Sequence, residues 1–210
     1  MCSSFWTIRS RTNSGARFTQ NRYAPMVSGQ HGPSACRTVA IMRLLIQEYR
    51  SDDALQTLEL FRRSVVGLAS HDYDERQIQA WAGHTGTVRQ WDRRRLAANT
   101  WVAAAETGTD GADRADGTGV GAAIAGFIDL DETGYIDMLF VDPSHARQGV
   151  ASTLLAEADW HAAAHGISGL SVHASITARP FFEHHGFHVE GIRHPAIGDV
   201  SFTNYLMVRP

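Results

Sequence analysis

The sequence predicts an α/β fold of three layers, with helices on both faces of a mixed central sheet. Three observations carry this. Short apolar runs closed by Gly, Pro, Asp or Asn recur between residues 42 and 208 and read as strands. Segments between them place apolar residues at a spacing near 3.6 and read as helices. The order is strand, helices, a meander of strands, then helix, strand, helix and two closing strands, a succession suited to a layered sheet with strands of both senses.

Residues 1–41 stand apart from this pattern. They hold Arg9, Arg11, Arg17, Arg22 and Arg37 and no acid, and Ser, Gly, Asn and Pro interrupt every apolar cluster. That composition predicts a disordered basic leader. It also fits an organellar transit segment, although its amphipathic periodicity is poor, and it lacks the apolar stretch of a secretory signal. A natural start at Met42 is a further option. The domain proper is expected over 42–210.

Met42 to Tyr49 has the makings of a first strand. Ser51-Asp52-Asp53 then caps a helix whose buried stripe is Leu55, Leu58, Phe61 and Val65. Ser70 to Tyr73 is a linker. Asp74-Glu75 opens a second helix with Ile78 and Trp81 on one face, and Gly83 and Gly86 end it. A third short helix covers Val88 to Ala97. Thr100 to Glu106 and Val120 to Leu130 are paired strands. Between them, Thr107 to Gly119 is an exposed connection whose Asp spacing misses the EF-hand pattern.

The stretch from Tyr135 to Leu155, YIDMLFVDPSHARQGVASTLL, organises the rest. Ile136, Met138, Leu139, Phe140 and Val141 form a strand that Asp142-Pro143 closes, because proline cannot donate to a ladder. After a loop at Ser144–Gln148, a helix carries Val150, Leu154, Leu155, Ala158 and Ala162 on one face and ends at His165-Gly166. A strand, a loop with a glycine and a long helix present unpaired N–H groups and a positive dipole end, which suit a phosphate or pyrophosphate. Gly149 permits close approach and Arg147 adds charge. A plain strand–helix turn is the alternative reading of the same residues. Leu170 to His173, a short helix at Ala178–His185, and strands at Phe187–Ile192 and Phe202–Val208 complete the chain.

The pattern L-F-V-D-P-x-x-x-x-x-G-V-A-x-x-L-L resembles the acetyl-CoA pyrophosphate loop of the GCN5-related N-acetyltransferase (GNAT) superfamily. A second block, VHASITARPFFEHHGF from Val172 to Phe187, resembles that family's next strand and helix. The two blocks look most like the YafP-type subgroup, and the resemblance covers roughly residues 42–208. It implies a GNAT-like three-layer α-β-α fold with a mixed, mostly antiparallel twisted sheet. It also implies an N-acetyltransferase that moves an acetyl group from acetyl-CoA to a primary amine of a small molecule or protein by direct attack. A non-catalytic acyl-CoA-binding module, or an interaction protein on the same fold, is the alternative.

Under that resemblance the cofactor site comprises Leu139, Phe140, Val141, Arg147, Gln148, Gly149, Val150, Ala151, Ser152, Ser175 and Phe182. The N–H near Leu139 would face the developing oxyanion, and Phe140 and Val141 would pair the pantetheine as another strand does. Three positions depart from the family pattern, one of them Ser175, where relatives carry Asn at the start of the short helix. Ala146 stands where the loop usually starts with Gln or Arg, and Phe182 stands where many relatives carry a tyrosine acid. Candidate catalytic groups are therefore Asp137, a carboxylate within an apolar run, His173 at a strand end, and Tyr205 on the last strand. Each has an ordinary reading as well: Asp137 facing solvent, His173 bonded to backbone, Tyr205 packed on the sheet. The acceptor pocket is expected from His71, Asp72, Tyr73 and Trp81, with Asp72 pairing a cation and the two rings forming a wall.

Charge and composition narrow the partners. The net charge is −3, and residues 42–210 carry 14 arginines against all 22 acids, a net −8. An acidic body argues against nucleic acid and suits an amine-bearing acceptor. No run reaches the length of a transmembrane helix. Cys2 and Cys36 are the only cysteines, so the body holds no disulfide framework or zinc cysteine cluster, which fits a reducing, cytoplasmic setting. The histidine pairs His161/His165 and His184/His185 lack a matching third ligand, so no metal is expected. A monomer or homodimer is expected.

Overall fold

The computed structural model describes residues 43–106 and 123–210; the basic leader, Met42 and the Thr107–Gly119 connection lie outside the described residues. The described chain begins with strand β1 (Arg43–Glu48). Helices α1 (Ala54–Leu68), α2 (Glu75–Gly83) and α3 (Val88–Leu96) cross one face, and the meander β2 (Asn99–Glu106), β3 (Ala123–Leu130) and β4 (Tyr135–Val141) comes next. Helix α4 (Val150–Ala164) covers the other face. Strand β5 (Leu170–Ser175), helix α5 (Arg179–His184), strand β6 (His188–Arg193), a small hairpin of β7 (Ala196–Ile197) and β8 (Val200–Ser201), and strand β9 (Asn204–Arg209) finish the chain. Among the described residues, seven strands form one sheet in the order β1-β2-β3-β4-β5-β9-β6. Every pairing in it is antiparallel except β4 with β5, so the expected mixed, mostly antiparallel sheet is what forms.

The sheet divides two apolar clusters. Val150, Leu154, Leu155, Ala158 and Ala162 of α4 pack with Phe182 and Phe187 on one face. Leu58, Phe61 and Val65 of α1 pack with Trp91, Phe127 and Met138 on the other. Leu55, expected in the α1 stripe, is 54% exposed. The buried arc instead includes Thr57, Leu60 and Ser64, which turns it away from position 55. Ser51–Asp53 forms a single 3₁₀ turn rather than a cap on α1, and Asp53 accepts from the Arg50 N–H at 2.8 Å. Helices α2 and α3 open with reciprocal caps, Asp74 with Gln77 and Thr87 with Gln90, which satisfy otherwise orphaned N–H groups. Among the described residues no helix is long and apolar enough to cross a membrane.

Two features of the sheet set the positions of α4 and of the side chains on β4. Gly126 of β3 lets α4 lie close on the sheet: a Cβ there would stand 2.8 Å from Val150 Cγ1 and 2.9 Å from the Phe140 carbonyl oxygen. The other is a bulge in β4. Ile128 pairs Leu139 and Leu130 pairs Ile136, so three steps on β4 answer two on β3. Ile136, Leu139 and Val141 therefore face α4, while Met138 and Phe140 face α1. The extra residue puts Asp137 on the same side as Met138, which simple alternation would forbid.

Candidate active site

The loop between β4 and α4 owes its shape to two residues in the left-handed region, Arg147 (φ 59°) and Gly149 (φ 83°). For arginine that conformation is uncommon, and successive turns of opposite hand draw consecutive N–H groups into one concavity. Gly149 is the N-cap of α4, and its carbonyl accepts from Thr153 N at 3.0 Å, so Val150, Ala151 and Ser152 form the first turn, whose N–H groups have no partner within the helix. Arg147 and Gln148 are exposed, and Gln148 donates to the Ser144 carbonyl at 2.9 Å. The front of the loop is pinned to α1. Asp142 accepts from Arg63 Nε at 2.9 Å and from the Ser144 N–H at 3.0 Å, and Gly67 lets Pro143 approach the helix. Burial alone would raise the Asp142 pKa, but the Ser144 and Arg63 contacts outweigh it and hold the carboxyl below its usual range.

Strands β4 and β5 pair only at Tyr135–Ser171 and Ile136–Val172. Beyond that point, among the described residues, no strand pairs with this edge of β4. The Asp142 N–H bonds back to Ala125 at 2.8 Å. Alternation along the strand then turns the N–H groups of Leu139 and Val141 outward, onto the free edge.

A cavity of about 90 Å³ occupies the gap. On the α4 side it meets Leu139, Val172, Ala174 and Phe182; on the α1 side it meets Tyr73, Trp81, Phe140, Phe202 and Asn204. The space thus passes between the parted strands from one face of the sheet to the other.

Asp137 lines this cavity, with its side chain 25% exposed. Burial, then the negative charge of Asp129, pushes its carboxyl up to about 7, against the opposing pull of Arg95 and Arg94. Arg95 is 2% exposed and stacks on Trp91, its guanidinium 4.6 Å from the ring centre. It sits 2.9 Å from fully buried Asp129 and 3.6 Å from Asp137, so Asp129 holds the closer contact and Asp137 is only loosely neutralised.

His173 also lines the cavity. Its Nδ1 lies 2.9 Å from the Tyr135 hydroxyl, and Arg193 donates to Nε2. Burial and the neighbouring guanidinium pull its pKa down to about 4, so it is neutral at physiological pH with its lone pair engaged. Tyr205 stands on the other side of the sheet, packed against the α4 cluster and under Arg179 at 4.5 Å, outside the cavity lining.

Of the expected acceptor residues, Tyr73 and Trp81 meet edge to face at 5.4 Å and line the cavity. The Tyr73 hydroxyl is fully used, donating to the Thr203 carbonyl and accepting from the Ile176 N–H, both at 3.0 Å. Asp72 is exposed and accepts from Thr177 at 2.6 Å, outside the cavity lining, and His71 is exposed as well. Ser175 caps the turn into α5 by accepting from the Ala178 N–H at 3.1 Å. Phe182 is 2% exposed and packs on Phe187 at 5.1 Å. In the first turn of α4, the Ser152 hydroxyl donates to His185 Nε2 at 3.1 Å, since His185 Nδ1 serves the Phe181 carbonyl.

Sequence reasoning missed Arg95, Asp129, Tyr135, Arg193 and Asn204. A signal existed for two of them. Asp129 interrupts an apolar strand, and Arg95 lies one helical turn after Trp91, so a buried pair was legible as a charge on each apolar face. The others are brought in by strand pairing across the sheet.

A family model described as an acetyltransferase (GNAT) domain matches residues 71–203. The chain is 36% identical over 162 residues to the uncharacterised N-acetyltransferase YafP of Escherichia coli strain K12, covering 77% of this chain and 93% of that one. Its fold matches the GCN5-related N-acetyltransferase "Aminotransferase, Class-II" of Rhodopseudomonas palustris, with a TM-score of 0.67, 27% identity and coverage of 78% and 93%. It also matches the fold of the Thermoplasma acidophilum PaiA N-acetyltransferase, solved in complex with coenzyme A, with a TM-score of 0.59, 18% identity and coverage of 79% and 98%. The chain belongs to the GNAT family of acyltransferases and is an N-acetyltransferase of that family.

Proposed function

We propose that residues 42–210 transfer an acetyl group from acetyl-CoA to a primary amine by direct attack, with Asp137 as the base. The observation that supports this most is the parting of β4 from β5 on the strand that runs straight into the left-handed Arg147–Gly149 loop. The residues present fit the co-substrate: a free strand edge for an extended amide-bearing arm, and an N–H concavity beside Arg147 for two phosphates. Acetyl-CoA, when bound, supplies a thioester carbonyl open to attack.

This chain's own groups then have separate tasks. The first-turn N–H groups of α4 and the Arg147 charge hold phosphate. The Leu139 N–H, on the free edge, donates to an oxygen that becomes negative. Asp137, poised near neutrality, takes the amine's proton from the α1 side, a contribution of about 10²–10⁴ in rate. Phe182 offers no proton, so protonation of the departing sulfur falls to solvent.

Titration calorimetry with acetyl-CoA and a CoA-release assay over a panel of amines test the reading. Micromolar binding, loss of it on Gly149→Glu, and turnover of at least one amine are expected. Unchanged affinity in that variant removes the loop from the site. Binding without any turnover leaves an acyl-CoA-binding module, the alternative that Phe182 favours.

A further inference from the structure

We propose that the acceptor amine also carries a carboxylate, which docks on Arg193 at the mouth of the cavity, so that the substrate class is an apolar amino acid rather than a simple amine or polyamine. The inference rests on the transferase reading above. Arg193 ends β6, opposite Asn204 of β9, which in turn pairs Ser175 of β5. From there its guanidinium reaches over β9 to His173, a cavity residue. That neutral imidazole is its polar contact: among the described residues no carboxylate lies within ion-pair distance of Arg193. Among the described residues, its Nε and Nη2 have no hydrogen-bond acceptor. A planar fork of this kind matches a carboxylate.

The rest of the cavity specifies the remainder of the molecule. Asn204 Oδ1 is buried in the same lining without a donor. Such an atom costs free energy until an N–H reaches it, which the acceptor's amine supplies. Tyr73, Trp81, Phe140 and Phe202 form an apolar wall suited to a hydrocarbon or aromatic body. A phosphate dianion would call for a second cation, and the nearby Arg95 is committed to Asp129 and Asp137. A polyamine would meet Arg193 as a like charge.

The test compares L-phenylalanine with phenethylamine, which differ by the carboxylate, in the CoA-release assay. For wild type, kcat/KM is expected to favour phenylalanine by at least about 10-fold, equivalent to about 1.4 kcal/mol. Arg193→Met should erase that preference by raising KM for phenylalanine at least about 10-fold more than KM for phenethylamine, and Arg193→Glu should reverse it. Comparing variants cancels the difference in amine basicity. Equal use of both amines by wild type, or an equal loss for both in Arg193→Met, overturns the proposal. Phenylacetate gives a readout free of turnover. It should shift the Arg193 Nε–H resonance saturably in ¹H–¹⁵N spectra, and no shift up to about 20 mM, a range weaker than −4.1 kcal/mol of binding, also overturns it. Failure of the transferase reading looks different: acetyl-CoA does not bind, or no amine releases CoA, whatever stands at position 193.

Discussion

At the loop end of the site, from Asp142 to Ser152, what faces a ligand is mainly main chain; at the strand end, from Asp137 across to Asn204, it is mainly side chain. The loop end is local. Arg147 and Gly149 set its curvature, and Asp142 and Pro143 fasten it to α1 through Arg63 and Gly67. The strand end is assembled from β4, β5, β9, α2 and the hairpin region, with Arg95 of α3 and Asp129 of β3 setting the charge behind it. Under the proposed function, the main-chain amides of the loop end account for the class of donor, and side chains gathered from distant elements account for the proton chemistry and the acceptor. The two ends should therefore fail in different ways when altered.

Asp137→Asn should have the largest effect and should split function from stability. Loss of the base is expected to lower kcat by about 10²–10⁴ with acetyl-CoA affinity unchanged. In wild type kcat/KM should rise with pH through about 7 as the carboxyl ionises, and the variant should lose that limb. Stability moves the other way. The folded pKa lies above the unfolded one, so folding binds a proton between about pH 4 and 7, and this contribution to stability is lost as pH rises through 7. At pH 8 the wild type carries a partly buried, loosely paired carboxylate that the amide lacks. The variant should be more stable there by roughly 1–3 kcal/mol, read as a higher urea midpoint. A variant that is both active and less stable at pH 8 would assign Asp137 a structural role and move the base elsewhere in the cavity.

The asymmetry between the ends also explains what the sequence revealed. The strand–loop–helix was readable because its signals are short-range: Asp142-Pro143 stops a strand, Gly149 permits a left-handed turn, and Val150 to Ala162 repeats at helical spacing. The element order and the sheet's mixed character came from the same kind of evidence. The side on which Asp137 lies was not readable, because a one-residue bulge in β4 decides it and leaves no mark in the pattern. Leu55 misled for a related reason: 3.6-residue spacing locates a stripe, but the polar Thr57 and Ser64 that share the buried arc shift its centre. Arg193 and Asn204 are far from β4 in sequence and reach the cavity through β9 pairing, a long-range fact.

A smaller effect should come from Gly126→Ala, which alters the loop end from beneath. The added Cβ would fall 2.8 Å from Val150 Cγ1, 2.9 Å from the Phe140 carbonyl and 3.0 Å from Leu154 Cδ1. The first turn of α4 has to lift, because a backbone carbonyl cannot yield as a side chain can. Overpacking of this kind costs about 1–3 kcal/mol. Acetyl-CoA affinity should fall several-fold in step with it, while the pH limb set by Asp137 stays in place. If the limb moved as much as the affinity, the two ends would be mechanically one unit.

The smallest expected change tests the fastening of the loop by its pH dependence. Asp142 accepts from the Ser144 N–H and hydroxyl through one oxygen and from Arg63 through the other. Its folded pKa lies below the ordinary value despite burial, so its contribution to stability is present above the unfolded pKa near 4 and lost as pH falls through the lower folded value. Asp142→Asn keeps the oxygen that serves Ser144 and removes the charge that meets Arg63. Because Arg63 is 53% exposed, solvent screening limits the loss to roughly 0.5–1 kcal/mol at pH 7. Added salt should shrink it further. Wild type and variant should converge in urea midpoint as pH falls toward 3, and acetyl-CoA affinity at pH 7 should drop no more than a few-fold. A difference that persisted at pH 3 would mean the tether works through packing at Pro143 and Gly67 rather than through charge, and the loop's rigidity would then be a property of main-chain contact alone.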